Sequence, residues 1–272
     1  MYSKDVRGML TTLLSSFKLK NKGYAGWLFI IVLSSIKFLR FLSRFIPFRY
    51  LIIPYNKNLK YLIPLDQFCD WYHITTEVLV VDDQFEPNDG QIVVDVGANV
   101  GLYAMYCAQK VGLKGVVVAI EPDPGNFVYL FHNTEMNRFN NVIVLNIALA
   151  DYDGKTRLYK ATPTGHSIIK NFALAHGGKG CYSQLPCRTL DNLILELRLS
   201  HVDILNLDVE GGAFTILRGC QSVLKKKIVH RIKIEIEDEE EVATIREYLH
   251  KFQYEVHQSG IFLLASVNPS II

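Results

Sequence analysis

The segment Asp95-Val-Gly97-Ala-Asn99-Val-Gly101 closes an apolar stretch, Ile92 to Val96, and opens into a helical one. Glycines at such a turn let the backbone bend sharply and approach a ligand closely. Open α/β sheets bind their ligands at this kind of turn, beyond the carboxyl ends of the strands. Asp95 can orient the turn or accept from an ammonium group. Glu121, followed by Pro122, stands twenty residues beyond Gly101. An acid at that distance accepts hydrogen bonds from ribose hydroxyls. Together the two elements mark a nucleotide-cofactor site from Gln91 to Glu121. The turn departs from the dinucleotide pattern GxGxxG at its second glycine, where Asn99 stands. A side chain there crowds a pyrophosphate. S-adenosylmethionine has no phosphate and tolerates it, and no GxxxxGK[ST] loop is present. The expected cofactor is therefore S-adenosylmethionine. The next strand runs into Asn146-Ile-Ala148-Leu-Ala-Asp151. Asn146, Ala148 and Asp151 are expected at the adenine, the alternative being a plain strand end and turn.

A second set of acids follows the fourth strand. Methyl transfer to a hydroxyl is an in-line displacement that needs both partners held close, with a base near the attacking oxygen. Asp208 and Glu210 are the expected base and substrate-orienting group. The competing expectation is that both cap the following helix, where carboxylates are also favoured. His166, in the loop Pro163 to Ser167, is a second candidate base, or else an exposed loop histidine. Glu235 ends the fifth strand and can face the cleft. Glu237 to Glu241 is expected as a solvated helix start.

These groups need a scaffold that brings strand ends together. Strands are expected at Ile92–Val96, Val116–Ile120, Val142–Asn146, Asp203–Leu207 and Val229–Ile236. Helices are expected at Leu102–Val111, Gly125–Arg138, Leu190–Arg198, Ala213–Lys225 and Asp238–Phe252. A hairpin at Tyr254–His257 and Ile261–Ser266 closes the domain. Thr156–Ala161 is expected to pair with an earlier segment. Leu51–Ile53 and Tyr61–Ile63 are expected to pair across Asn56–Asn58, and Leu79–Asp82 forms one more short element. Continuous apolar strands alternating with helices predict a mainly parallel sheet covered on both faces. The expected fold is α/β and Rossmann-like, with a C-terminal antiparallel hairpin and an N-terminal helical extension. The chain divides into residues 1–50, a connecting region 51–90 and the main domain 91–272.

Residues 1–60 hold eleven Lys and Arg against one acid, whereas the remainder holds 18 bases and 26 acids. Tyr24 to Ile36 is uncharged but too short for an ordinary spanning helix. Lys37, Arg40 and Arg44 then share one helical face opposite Phe38, Leu42 and Phe45, the pattern of a helix lying at a lipid surface. Residues 24–46 are thus expected to meet a membrane, with packing on the main domain as the alternative. The basic residues interleave with aliphatic runs, so no nucleic-acid partner is expected. Five cysteines without a CxxC point away from a disulfide framework or zinc site, and no metal is expected. A reducing, cytoplasmic location follows, at the membrane's cytoplasmic face if the helix binds lipid.

Several segments resemble the FkbM family of methyltransferases. They are VVDVGANVGLYA (Val93 to Ala104), Glu121-Pro122, NIALADYDG (Asn146 to Gly154), RTLDNLI (Arg188 to Ile194), DILNLDVEGGAFTILRG (Asp203 to Gly219) and IKIEIED (Ile232 to Asp238). The most specific part is Asp208-Val-Glu210-Gly211. The resemblance covers roughly Asp82 to Ser266. It implies a class I methyltransferase fold with a seven-stranded sheet. It also implies O-methylation of a hydroxyl on a sugar, glycan, lipid-linked or other small-molecule acceptor. The family's usual Lys two residues before Asp208 is replaced by Asn206, and its frequent acid two residues after Gly211 by Ala213. Two other readings stand beside this one: a binding protein on the same fold that has lost activity, and a nicotinamide-dependent enzyme acting on nucleotide sugars.

Overall fold

The structure, a computed structural model, describes residues 50–56, 58–64, 85–161 and 165–268. The segment 24–46, the element expected at Leu79–Asp82 and Cys69 lie outside the described residues. The described residues begin with a hairpin, β1 (Tyr50–Asn56) and β2 (Leu59–Pro64), in which Leu51 faces Ile63 and Ile53 faces Tyr61. Strand β3 (Ile92–Val96) leads through the glycine turn into α1 (Leu102–Val111), followed by β4 (Val116–Ile120), α2 (Pro124–Asn137) and β5 (Val142–Leu145). A side sheet is made by β6 (Ala148–Leu149), β7 (Gly154–Tyr159) and β8 (Tyr182–Arg188), with α3 (Lys170–Ala175) between the last two. Then come α4 (Leu190–Glu196), β9 (Val202–Leu207), α5 (Ala213–Arg218), α6 (Gln221–Lys225), β10 (Val229–Glu235), α7 (Glu239–Lys251), β11 (Tyr254–Ser259) and β12 (Phe262–Val267).

The main sheet has seven strands in the order β11-β12-β10-β9-β3-β4-β5. β10, β9, β3, β4 and β5 are parallel, and the C-terminal hairpin joins antiparallel through β12. This is the class I methyltransferase fold. From β3 the chain moves outward to β4 and β5, then returns to the other side as β9 and β10. That reversal opens a crevice at the carboxyl ends of β3 and β9, where such sheets bind ligands. Alternate residues of the strands build two apolar layers. Val94, Val96, Leu205, Ile232 and Ile234 pack with α4 to α7 on one face, and Val93, Val117, Ala119 and Ile204 pack with α1 on the other.

Local chemistry sets the helix ends. Asp123 caps α2 by accepting from Gly125 N–H and Asn126 N–H at 2.8 and 3.0 Å, with Pro124 in the first turn. Asp238 caps α7, whose first turn carries three glutamates and whose last carries His250 and Lys251. The hairpin of β1 and β2 is bolted to the domain through Asn133, whose amide exchanges hydrogen bonds with both backbone groups of Leu62.

Two expectations need correction. The strand at 154–159 pairs with the later β8, not with an earlier segment. The single helix expected at Ala213–Lys225 is two, broken at Gly219, where the backbone packs against Ala150 so closely that a Cβ would lie 2.3 Å from its carbonyl oxygen.

Candidate active site

The first wall of the crevice is the turn after β3. Gly97 and Gly101 have φ of 83° and 92°, and Asn99 has φ 51°. Asn is the side chain that tolerates the left-handed region best after glycine. Gly97 N–H and Ala98 N–H both donate to the Ile120 carbonyl, which holds the turn against β4. At Gly101 a side chain would resist the φ of 92° and a Cβ would displace Leu130 Cδ1, 2.6 Å away. Glu121 follows β4 and is buried. Its two oxygens accept from Asn99 N–H and Asp123 N–H, both at 2.7 Å. Burial pushes the Glu121 carboxyl up to about 8 despite these donors. Asn146 stands behind the acid-Pro turn, donating to the carbonyls of Glu121 and Pro122 at 2.8 and 3.1 Å.

The second wall is the end of β9. Asp208 N–H donates to Val96 carbonyl at 3.0 Å. The chain then turns through Glu210 and Gly211, with φ of 49° and 77°. Asp208 and Glu210 therefore leave the strand by a turn rather than along one strand face, yet both side chains line the same cleft. The cleft has a volume of about 300 Å³ and runs from Glu121, Pro122 and Ala148 to Asp208, Glu210, Glu235 and Glu237. Oxygens of Asp208, Glu235 and Glu237 lie within 4.8 Å of one another. Acids this near to solvent cluster without a cation, and no metal is assigned to them. Burial, reinforced by neighbouring acids, raises Asp208 to about 7, Glu210 to about 8 and Glu237 to about 7. For Asp208 a hydrogen bond with Glu235 works the other way.

Beneath the acids runs a buried polar row across three strands: Asp95 on β3, Asn206 on β9 and Lys233 on β10 are register partners. Asn206 Nδ2 donates to Asp95 Oδ1 at 2.9 Å. Burial raises Asp95 to about 6, against the pull of Asn206 and Lys233. Lys233 was not among the residues expected at the site. Its signal is a charged residue inside the apolar run Ile232-Lys-Ile-Glu-Ile, two positions from Glu235 and so on the same face of the strand.

An arm closes the cleft from the side sheet. Leu158, His166 and Ile168 line it. Asp123 pairs with Lys160 and lies 3.7 Å from His166 Nε2, while His166 Nδ1 accepts from Ala161 N–H at 3.1 Å. The latter bond places the ring proton on Nε2, facing Asp123. At the arm's far side Ser167 Oγ donates to the Glu210 carbonyl at 2.6 Å, and the Phe172 ring covers Gly211 so tightly that a Cβ there would lie 2.5 Å away.

The structure thus brings Asp95, Gly97, Asn99, Glu121, Pro122, Ala148, His166, Asp208 and Glu210 to one cleft. Gly101 and Asn146 shape its wall from behind. Asp151 lies outside it, exposed and paired with Arg218 at 2.7 Å. His166 lies on the Asp123 side of the arm.

The parallel sheet with this turn, this acid after β4 and this acid-bearing turn after β9 is a class I methyltransferase fold. A family model described as "Methyltransferase FkbM domain" matches residues 95–256, and the chain belongs to this family. It is 26% identical over 152 residues to Methyltransferase 1 of Beauveria bassiana (strain ARSEF 2860), covering 48% of this chain and 59% of that protein. An FkbM methyltransferase structure from Methylobacillus flagellatus KT aligns with a TM-score of 0.46 and 15% identity, over 70% of this chain and 45% of that one. A SAM-dependent methyltransferase from Aquifex aeolicus aligns with a TM-score of 0.37 and 17% identity, over 74% of this chain and 89% of that one. The chain thus spans 59% of the length of the curated relative it matches.

The cofactor is S-adenosylmethionine, and the cleft fits it. Asp95 Oδ2 and Asn99 Oδ1 are buried acceptors with no partner among the described residues. Glu121 adds a third acceptor. Such a set suits a ligand rich in donors, with an ammonium group and ribose hydroxyls. Among the described residues that line the cleft, His166 is the one basic side chain, set against six carboxyl groups that share several negative charges near neutral pH. A sulfonium is welcome in that field, and a diphosphate is repelled.

Proposed function

We propose that this protein transfers a methyl group from S-adenosylmethionine to a hydroxyl of a small-molecule acceptor, of the sugar, glycan or lipid-linked kind, with Asp208 as the general base. The observation that carries this reading is continuity: one cleft joins the nucleoside end at Glu121 to the acids after β9 and β10. When bound, S-adenosylmethionine supplies an electrophilic methyl group on a sulfonium. The chain does the rest. Asp95 and Asn99 offer acceptors to the amino-acid moiety, and Glu121 to the ribose. Asp208 takes the proton of the acceptor hydroxyl as that oxygen attacks, a role served by a carboxyl tuned close to neutrality. Glu210 and Glu235 orient the acceptor by accepting from its other hydroxyls. A wall built of carboxylates favours a polyhydroxylated acceptor and disfavours nucleic acid, whose phosphates it repels.

The reading extends to residues 24–46. Their apolar run and basic face support a place at the cytoplasmic side of a membrane, where a lipid-linked acceptor is presented. Binding of the intact chain to anionic vesicles, weakened by Lys37→Glu and Arg40→Glu, tests that extension.

The central test is calorimetry with S-adenosylmethionine and its homocysteine product. Incubation of lipid and glycan extracts with methyl-labelled cofactor follows. Binding and label transfer by the wild type, with transfer lost in Asp208→Asn, support the reading. Failure to bind either compound sinks it.

A further inference from the structure

Lys233 is the buried cation beneath the cleft. Its residue is 2% exposed. Its ammonium lies 4.1 Å from the centre of the Phe262 ring and 4.9 Å from that of Tyr103. Two aromatic faces therefore take the place of water around it. A buried ammonium is costly unless anions balance it. Burial pushes Lys233 down, and Asp208, Cys107, Glu235 and Asp95 pull it back.

Among the described residues, the groups facing this row are acidic or neutral apart from Arg231, which shares a face of β10 with Lys233, is part-buried and interacts with Tyr103. Asp208 and Glu235 stand at the strand ends, Tyr103 and Cys107 face it from α1 with Glu86 beyond them, and Glu121, at the end of β4, is raised in part by the charge of Asp95. Burial favours a proton on Asp95. The amide of Asn206, and after it the charge of Lys233, oppose this. Asp95 also has a buried oxygen, Oδ2, without a partner among the described residues, in the wall of the cofactor cleft.

We propose that Lys233 is a positioning residue for the cofactor: standing one strand beyond Asn206, it keeps Asp95 an anion before any ligand arrives, so that Asp95 meets the ammonium group of S-adenosylmethionine already charged. This rests on the S-adenosylmethionine reading above. It gives a strand-interior lysine outside the cleft wall a role in binding rather than in the transfer step.

The test uses S-adenosylhomocysteine, which keeps the ammonium group and lacks the transferable methyl. Its affinity is measured by calorimetry from pH 5 to 8.5 for the intact wild type, Lys233→Arg, Lys233→Met and Asn206→Lys, with folding checked by circular dichroism. Wild type and Lys233→Arg are expected to share a weakening at acid pH that centres on the Asp95 value of about 6. Lys233→Met is expected to bind about tenfold more weakly at pH 5, the effect of moving one carboxyl by about a unit when pH lies below its value, about twofold more weakly at pH 7, and to recover by pH 8.5. Asn206→Lys adds a cation to the row and moves the weakening to lower pH. It gives an independent answer should Lys233→Met fail to fold. A methionine variant that tracks the wild type at every pH overturns the proposal, as does an arginine variant equally impaired. An Asn206→Lys profile that does not move overturns it too. Absence of binding by the wild type at all pH values instead sinks the cofactor reading itself.

Discussion

Gly97 and Asp208 meet backbone to backbone: a Cβ placed on Gly97 would fall 1.6 Å from the Asp208 carbonyl oxygen. The cofactor turn and the acid-bearing turn are thus seated on one another, and their spacing is fixed by the absence of a side chain. Gly97 also has φ 83°, which a side chain resists. Gly97→Ala is expected to lower stability by more than about 2 kcal/mol, combining backbone strain with overpacking. Thermal denaturation and homocysteine-product calorimetry check this. A variant with wild-type melting temperature and affinity would show that the two turns can separate freely.

Asp208→Asn keeps the shape of the acid wall and removes the base. Transfer is expected to fall by at least about a hundredfold, the usual loss for a positioned general base, while cofactor affinity stays within about threefold. A base acts when deprotonated, so the wild-type rate should rise with pH through the Asp208 value of about 7 and level off above it. Initial rates with a responsive acceptor from pH 5.5 to 8.5 read this directly. Loss of cofactor binding in the variant would place Asp208 in the cofactor shell.

Much of this scaffold is legible in the residues. The five parallel strands announce themselves as short apolar runs because both faces of their sheet are covered. The cofactor turn and Glu121 carry their own spacing. The side sheet is hidden. β8 alternates weakly and contains Pro186, which argues against a strand by removing a donor. β6 is two residues long. Lys233 is hidden for a different reason. Its strand and its charge are plain, but its alignment with Asn206 and Asp95 depends on pairing between strands more than a hundred residues apart in one case. The position of His166 beside Asp123 likewise depends on how the arm folds back.

Five acids of the cleft set how stability responds to pH. Asp95 is raised to about 6, Asp208 and Glu237 to about 7, and Glu121 and Glu210 to about 8. In the unfolded chain such groups titrate near 4. Between these values the folded protein holds more protons, so stability falls as pH rises from about 5 towards 8.5. Asp123 and Glu86, which are lowered, act only at more acid pH. Melting temperatures across that range should decline in the wild type and decline less in Glu210→Gln. An equal slope in both would assign the pH response elsewhere.

Asp123 joins the cofactor wall to the arm, and its removal separates two roles for His166. It caps α2 through two N–H donors and holds Lys160 and His166 on the arm. Burial works against its charge, and Lys160, the capping N–H of Asn126 and His166 hold it low. Asp123→Ala should lose about 1 kcal/mol of stability as a cap and free the arm, so that bound cofactor leaves faster. His166→Gln should leave the cap intact. If His166 acts by holding the arm, this variant weakens cofactor affinity while the rate at saturating cofactor stays near wild type. A hundredfold loss of that rate at unchanged affinity would instead make His166 the base. Stopped-flow release of a fluorescent cofactor analogue, with saturating-rate measurements on both variants, decides between them.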